Sequence, residues 1–164
     1  MGAKVVFGAD VMELSRLIER IATYPVTGKE RRISLFYSIF LLNSLYFFDC
    51  AVKDGSPYLV HRATVDAVYG GLRMFFARNE RFFPCHRRML AEARHLPDKP
   101  EDLVARAEAF CAAPSPATRD DFVAAVKGHP GWNLDFENYN LPLSTYVKAM
   151  EQSWLNSEDN VFEL

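Results

Sequence analysis

The sequence predicts an all-α fold, an up-and-down bundle of four to five main helices with short additional helices. Three observations carry that reading. Apolar residues recur at three- and four-residue spacing in one segment after another. Helix start signals (hydroxyl or carboxylate, often with proline) and stop signals (glycine) bracket those segments. No pair of alternating apolar runs joined by a hairpin turn occurs.

Lys4-Val5-Val6-Phe7 reads as a short extended stretch in an N-terminal arm over 1–9. Asp10 caps a helix to about Thr23, with Val11, Leu14, Leu17, Ile18 and Ile21 on one face. Tyr24-Pro25 ends it, because the residue before proline avoids the helical region. Thr27-Gly28-Lys29-Glu30 reads as a capping box that opens a long apolar helix running to Asp54 and stopping at Gly55. Its uncharged stretch over 33–48 is shorter than the ~20 residues a membrane span needs, so a central bundle helix is expected.

Ser56-Pro57 starts the next helix, which runs to about Arg78 with Val60, Thr64, Ala67, Val68, Gly71, Leu72 and Phe75 inward. Gly70-Gly71 inside it costs roughly 1 kcal/mol per glycine against alanine, so close backbone packing or a kink is expected there. Residues 79–84 form a turn, and a helix from about Cys85 to Leu96 follows. Pro100 starts a helix with Leu103, Val104, Ala107, Phe110 and Cys111 on its stripe. Thr118-Arg119-Asp120-Asp121 caps a short helix closed by Gly128. The stretch 129–142 is an irregular loop with aromatic anchors, and the last helix, about 143–155, carries Leu143, Tyr146, Val147, Met150 and Trp154 in one stripe. The bundle spans 10–156 as one domain, with a frayed tail over 157–164.

The chain has 164 residues, 49% apolar and 24% charged, the composition of one globular domain and not of a disordered segment. A formal charge of -2 weighs against binding nucleic acid by general phosphate neutralisation. Three scattered cysteines (Cys50, Cys85, Cys111) form neither a disulfide framework nor a metal knuckle, which fits a reducing, cytoplasmic setting. His61, His86, His95 and His129 make no ligand-spaced cluster, so no metal site is expected. No glycine-rich phosphate loop exists, and Asp135-Phe136-Glu137 reads as solvated loop acids and not as a metal-binding pair. Arg62 and Asp66 form a surface pair one turn apart.

One pattern on the long helix invites a site. Asn43, Tyr46, Asp49 and Lys53 fall within about 120° at 100° per residue. A polar stripe on an apolar helix must meet water, another polar face or a ligand. Solvent, or pairing with Arg62 or Arg73 of the next helix, competes with a ligand-facing cleft.

The stretch Ala77-Arg78-Asn79-Glu80-Arg81-Phe82-Phe83-Pro84, followed by Arg87-Arg88, resembles the helical C-terminal domain of stand-alone nucleotidyltransferases of the DNA-polymerase-β superfamily. There a helix ends in Ala-x-Asn-x-x-Tyr/Phe-Phe-Pro before a basic helix. Val5-Val6-Phe7, Asp10, Leu14, Ile18 and Tyr24-Pro25 are similar to the junction where those enzymes leave their catalytic sheet. The resemblance covers about 4–100. The Gly-Ser turn and paired carboxylates that hold magnesium and nucleotide in that family have no counterpart here.

The resemblance therefore implies a substrate-binding helical half that binds no cofactor of its own and meets Mg and ATP only through a separate catalytic partner. Asn43, Tyr46, Asp49, Lys53, Asn79 and Arg81 would face its cleft, toward an acceptor that is a small aminoglycoside-like molecule or a protein. A second resemblance, to helical RNase toxins with an Arg-x4–6-His motif, rests on Arg81 and His86 acting across a homodimer, against which Phe82 and Pro84 count. A non-catalytic oligomerisation module is the third expectation.

Overall fold

The computed structural model describes residues 11–151. The predicted arm over 1–9, the Asp10 cap, Trp154 and the predicted tail over 157–164 lie outside the described residues. Within them the chain is all-α, with no strand. It runs through α1 (Val11–Ala22), a 3₁₀ turn (Val26–Gly28), α2 (Lys29–Leu41), a wide π turn (Leu42–Phe47) and α3 (Phe48–Asp54). α4 (Pro57–Arg78), a 3₁₀ turn (His86–Arg88), α5 (Met89–Ala93), α6 (Leu103–Ala112), α7 (Pro116–Lys127) and α8 (Asn140–Tyr146) complete it, with a π turn at Val147–Glu151.

α4 is the centre, packed by α2, α3, α5 and α6. Its boundaries follow the expected signals: the Ser56 hydroxyl accepts the Leu59 N–H, Pro57 stands at the first helical position, and Gly55 closes α3 at φ 65°. Residues 70–77 are all buried, so the second half of α4 has no solvent face. Gly70-Gly71 makes that possible. A Cβ on Gly70 would lie 2.6 Å from the Phe40 backbone nitrogen of α2, and one on Gly71 would lie 2.9 Å from Cζ of Phe122 of α7. Two helix backbones thus touch through hydrogen alone. Phe40 meets Phe122 at 6.0 Å between ring centres, Phe122 meets Phe110 at 6.2 Å, and Phe110 meets Phe48 at 5.3 Å. This chain of rings links α2 and α3 to α6 and α7. Burying each such side chain contributes about 1.5–3 kcal/mol.

The 129–142 loop is stapled down by its aromatics. The Trp132 indole N–H donates to the Val126 carbonyl at 2.7 Å, and the ring sits 5.0 Å from Phe75. The Tyr37 hydroxyl donates to the Asp135 carbonyl at 2.5 Å, and burial pushes its pKa up to about 12, with the Asp135 charge adding to the effect.

Several expectations need correction. The Thr27 box does not form: α2 opens from Gly28 without a side-chain cap, and a 3₁₀ turn occupies the place. α7 is capped by Ser115, whose hydroxyl accepts the Thr118 N–H while Thr118 bonds back to the Ser115 N–H. The helix expected over 85–96 shrinks to a 3₁₀ turn and the five residues of α5. α8 starts at Asn140, inside the expected loop, its Leu143 is 50% exposed, and a π turn follows at Val147–Glu151.

The long helix is unbroken from Lys29 to Asp54, but it is not α throughout. At the wide turn the Asn43 amide donates to the Ile39 carbonyl at 2.9 Å and the Ser44 hydroxyl to the Leu41 carbonyl at 3.4 Å. Side chains that take carbonyls one turn back compete with the regular ladder and loosen it. The stretch Val26–Asp54 contains an 18-residue window long and apolar enough to cross a membrane (mean hydropathy 1.6), yet 67% of that window is buried inside the bundle.

Candidate functional site

α4 ends in a clamp. The Asn79 amide donates to the Phe75 carbonyl at 2.8 Å and to the Asp98 carbonyl at 2.9 Å, while its oxygen accepts the Asp98 N–H at 2.9 Å. The chain then reverses through Glu80 at φ 54°, and the Arg81 N–H returns to the Phe76 carbonyl at 2.9 Å. Lys29 holds the Glu80 carboxylate at 3.0 Å. Cys85, at the far end of the segment 81–84, sits at φ 129°. A non-glycine residue in these regions costs on the order of 1–3 kcal/mol. The segment 81–84 is therefore held at both ends by strained backbone, and it folds back over α2 and α4.

Between that segment, the Tyr24-Pro25 corner, α2 and α4 lies a cleft of about 320 Å³, the small end of the range for ligand pockets. Among the described residues its charged lining is Arg32, Arg73 and Arg81, with no acidic side chain; the rest is mostly aromatic. A second concavity, about 230 Å³, is lined by Glu13, Arg16, Leu17 and Arg20, all on the single helix α1.

Arg73 dominates the electrostatics of the cleft. It is 5% exposed. Its guanidinium carbon lies 4.1 Å from the ring centre of Phe36 and 4.4 Å from that of Phe83. Its Nη1 donates to the Tyr69 hydroxyl at 3.2 Å, and no carboxylate pairs with it among the described residues. Burial pulls its pKa below the ordinary arginine value; Tyr69 and Tyr24 oppose that, and Arg32 reinforces it. An arginine stays charged regardless. Desolvating such a charge costs several kcal/mol, and each aromatic face returns about 0.5–2 kcal/mol.

The walls around it are partly committed. Arg32 donates to the Pro25 carbonyl at 2.9 Å and lies 5.3 Å over the Tyr24 ring. Tyr24 and Phe82 meet at 5.4 Å, and the Tyr24 hydroxyl is buried with no hydrogen-bond partner among the described residues. Arg81 is exposed at the mouth.

Of the residues expected to share a cleft, Arg81 alone lines this one. Asn43 is buried and bonded to its own helix, so it cannot face a ligand there. Tyr46 is 59% exposed against Phe47, and Lys53 is exposed. Asp49 pairs with Arg119 of α7 at 2.6 Å, and not with Arg62 or Arg73. The 100° step that aligned these four fails across the wide turn, so they do not form one face. Asn79 has its amide fully occupied as a clamp. Arg62 does pair with Asp66, at 2.6 Å.

His86 stacks on Tyr69 at 5.2 Å, and the helix that would carry an Arg-His motif is interrupted by non-helical residues over 81–85. Asp135 accepts the Glu137 N–H in a local turn, and Glu137 pairs with Lys127 at 2.9 Å. Among the described residues no group of three or more His, Cys, Asp or Glu is gathered to hold an ion.

Arg73 was overlooked as a site residue although a signal was present. It is the one charge between Asp66 and Arg78 on an apolar helix, the same anomaly that drew attention to the long helix. Comparison of the chain with protein-family models, curated proteins and solved structures gave no match.

Proposed function

We propose that the chain is a substrate-binding helical module resembling the C-terminal half of a nucleotidyltransferase, working beside a separate catalytic partner, with the Arg73 cleft as its binding face. One observation carries this reading. The stretch that holds the resemblance, Ala77 with Phe82 and Phe83, is also a wall of the cleft. Asn79, in the same stretch, locks the end of α4 so that this wall is built. A concave, largely aromatic pocket with a few convergent polar groups is what a binding half requires. The magnesium and nucleotide chemistry belongs to the partner in this reading.

The test has two arms. Residue-resolved NMR of the whole chain against a small-molecule fragment set should place the responding amides at 24, 73–77 and 81–83. Purified protein with ATP and magnesium should release no pyrophosphate. Pyrophosphate release, or RNA cleavage abolished by His86→Ala, would overturn the proposal.

A further inference from the structure

We infer that the cleft is a receptor for a small phosphate monoester carried on an aromatic body. This deepens the binding-face reading above and rests on it. Arg73 supplies the first argument. Phe36 and Phe83 cover its guanidinium at 4.1 and 4.4 Å from their ring centres, so what it offers a visitor is its edge, the fork of N–H donors. A guanidinium edge matches the paired oxygens of an oxyanion in two parallel hydrogen bonds. One hydrogen bond, to the Tyr69 hydroxyl, is all that this fork makes among the described residues.

Stoichiometry supplies the second argument. Among the described residues three guanidiniums line the cleft with no carboxylate to neutralise them, and the Tyr24 hydroxyl is buried beside them without a partner. A carboxylate brings one charge and two oxygens. A phosphate monoester brings close to two charges and three strong acceptor oxygens, which suits this donor set better. The third argument is the remaining lining: Phe76, Phe82 and the Tyr24 ring give a flat body an apolar wall. About 320 Å³ admits a ring with its phosphate and not a macromolecule.

Phenyl phosphate, benzoate, phenol and inorganic phosphate are titrated into the whole chain, with NMR shifts of the cleft amides as readout. Phenyl phosphate is expected to bind at least tenfold more tightly than each of the others. Arg73→Met should weaken it at least hundredfold, Arg73→Lys and Arg81→Gln about tenfold, and Arg119→Met, outside the cleft, not at all. The amide spectrum reports whether each variant is folded, and Arg81→Gln keeps the test alive should Arg73→Met not fold. Benzoate binding as tightly as phenyl phosphate overturns the phosphate assignment. Inorganic phosphate doing so overturns the aromatic body. Phenol binding equally well overturns the anion receptor and leaves the cleft reading standing, whereas silence of the cleft toward these probes and the fragment set alike overturns both.

Discussion

Two arginines are buried in the bundle, and they are built on opposite plans. Arg119 is 9% exposed and holds Asp49 and Asp120, each at 2.6 Å, with the buried Ser44 carbonyl at 3.4 Å. Burial works against its charge, and the hydrogen bonds to Asp49 and Asp120 outweigh it, leaving its pKa above the ordinary value. Arg73 is 5% exposed and has rings and a phenol hydroxyl but no carboxylate, so burial prevails and its pKa falls. A charge whose partners are all supplied by its own chain serves the fold. A charge left with open donors is better explained by something that arrives from outside.

The largest expected effect breaks the comparison at its base. Gly70→Ala drives a methyl into the α2 backbone beside Phe36, whose ring supports Arg73. Urea unfolding should show a loss of about 3 kcal/mol despite the better helix propensity of alanine.

The next pair separates the two arginines. Arg119→Met should lower stability by about 1–2 kcal/mol, through the lost hydrogen bonds to Asp49, Asp120 and the Ser44 carbonyl. Arg73→Met should leave stability unchanged or raise it, since an apolar side chain of similar size suits a pocket without a counter-ion. A loss of stability in Arg73→Met as large as in Arg119→Met would erase the distinction.

Acid sharpens it further, because neither arginine titrates there. His129 is the candidate group: burial pulls its pKa down, and the lift from Asp98, 3.1 Å away, does not fully restore it. The unfolded chain then binds the proton more readily than the folded one. The His129 contribution is complete above the ordinary value near 6.5 and is lost as pH falls below it. His129→Gln should flatten the melting temperature against pH between 7 and 5. At the alkaline end Tyr37 acts with the opposite sign, stability falling as pH climbs from about 10 toward 12. The smallest effect belongs to Lys29→Ala, a few tenths of a kcal/mol from an exposed pair with Glu80 that salt should abolish.

Local signals with one meaning were legible. Ser56-Pro57, Gly55, Gly70-Gly71 and the aromatics of 129–142 each did what their chemistry demands. Signals with two meanings misled. Ser115 and Thr118 can each cap a helix, and Pro116 decides for Ser115, the same arrangement read correctly at Ser56. The wide turn was invisible because asparagine and serine are tolerated in regular helix; where their side chains bond emerges only once neighbours bury them. In the cleft, Arg81 and Phe82 were reachable through a motif in contiguous sequence. Arg32, Arg73 and Tyr24 converge from three elements, and no spacing rule brings them together.

The wide turn at Leu42–Phe47 makes residue number, and not residue type, the specification of everything beyond it. A wide turn carries one residue more than an α turn, so a single deletion there is absorbed by tightening it to α, whereas an insertion keeps every apolar side chain of α3 in the chain yet presents the helix about 100° away. Asp49 would leave Arg119, and Phe48 would leave Phe110. This stretch should accept many substitutions and very few insertions, so that relatives are to be recognised by a count between Ile39 and Asp49 that does not lengthen, more than by identity.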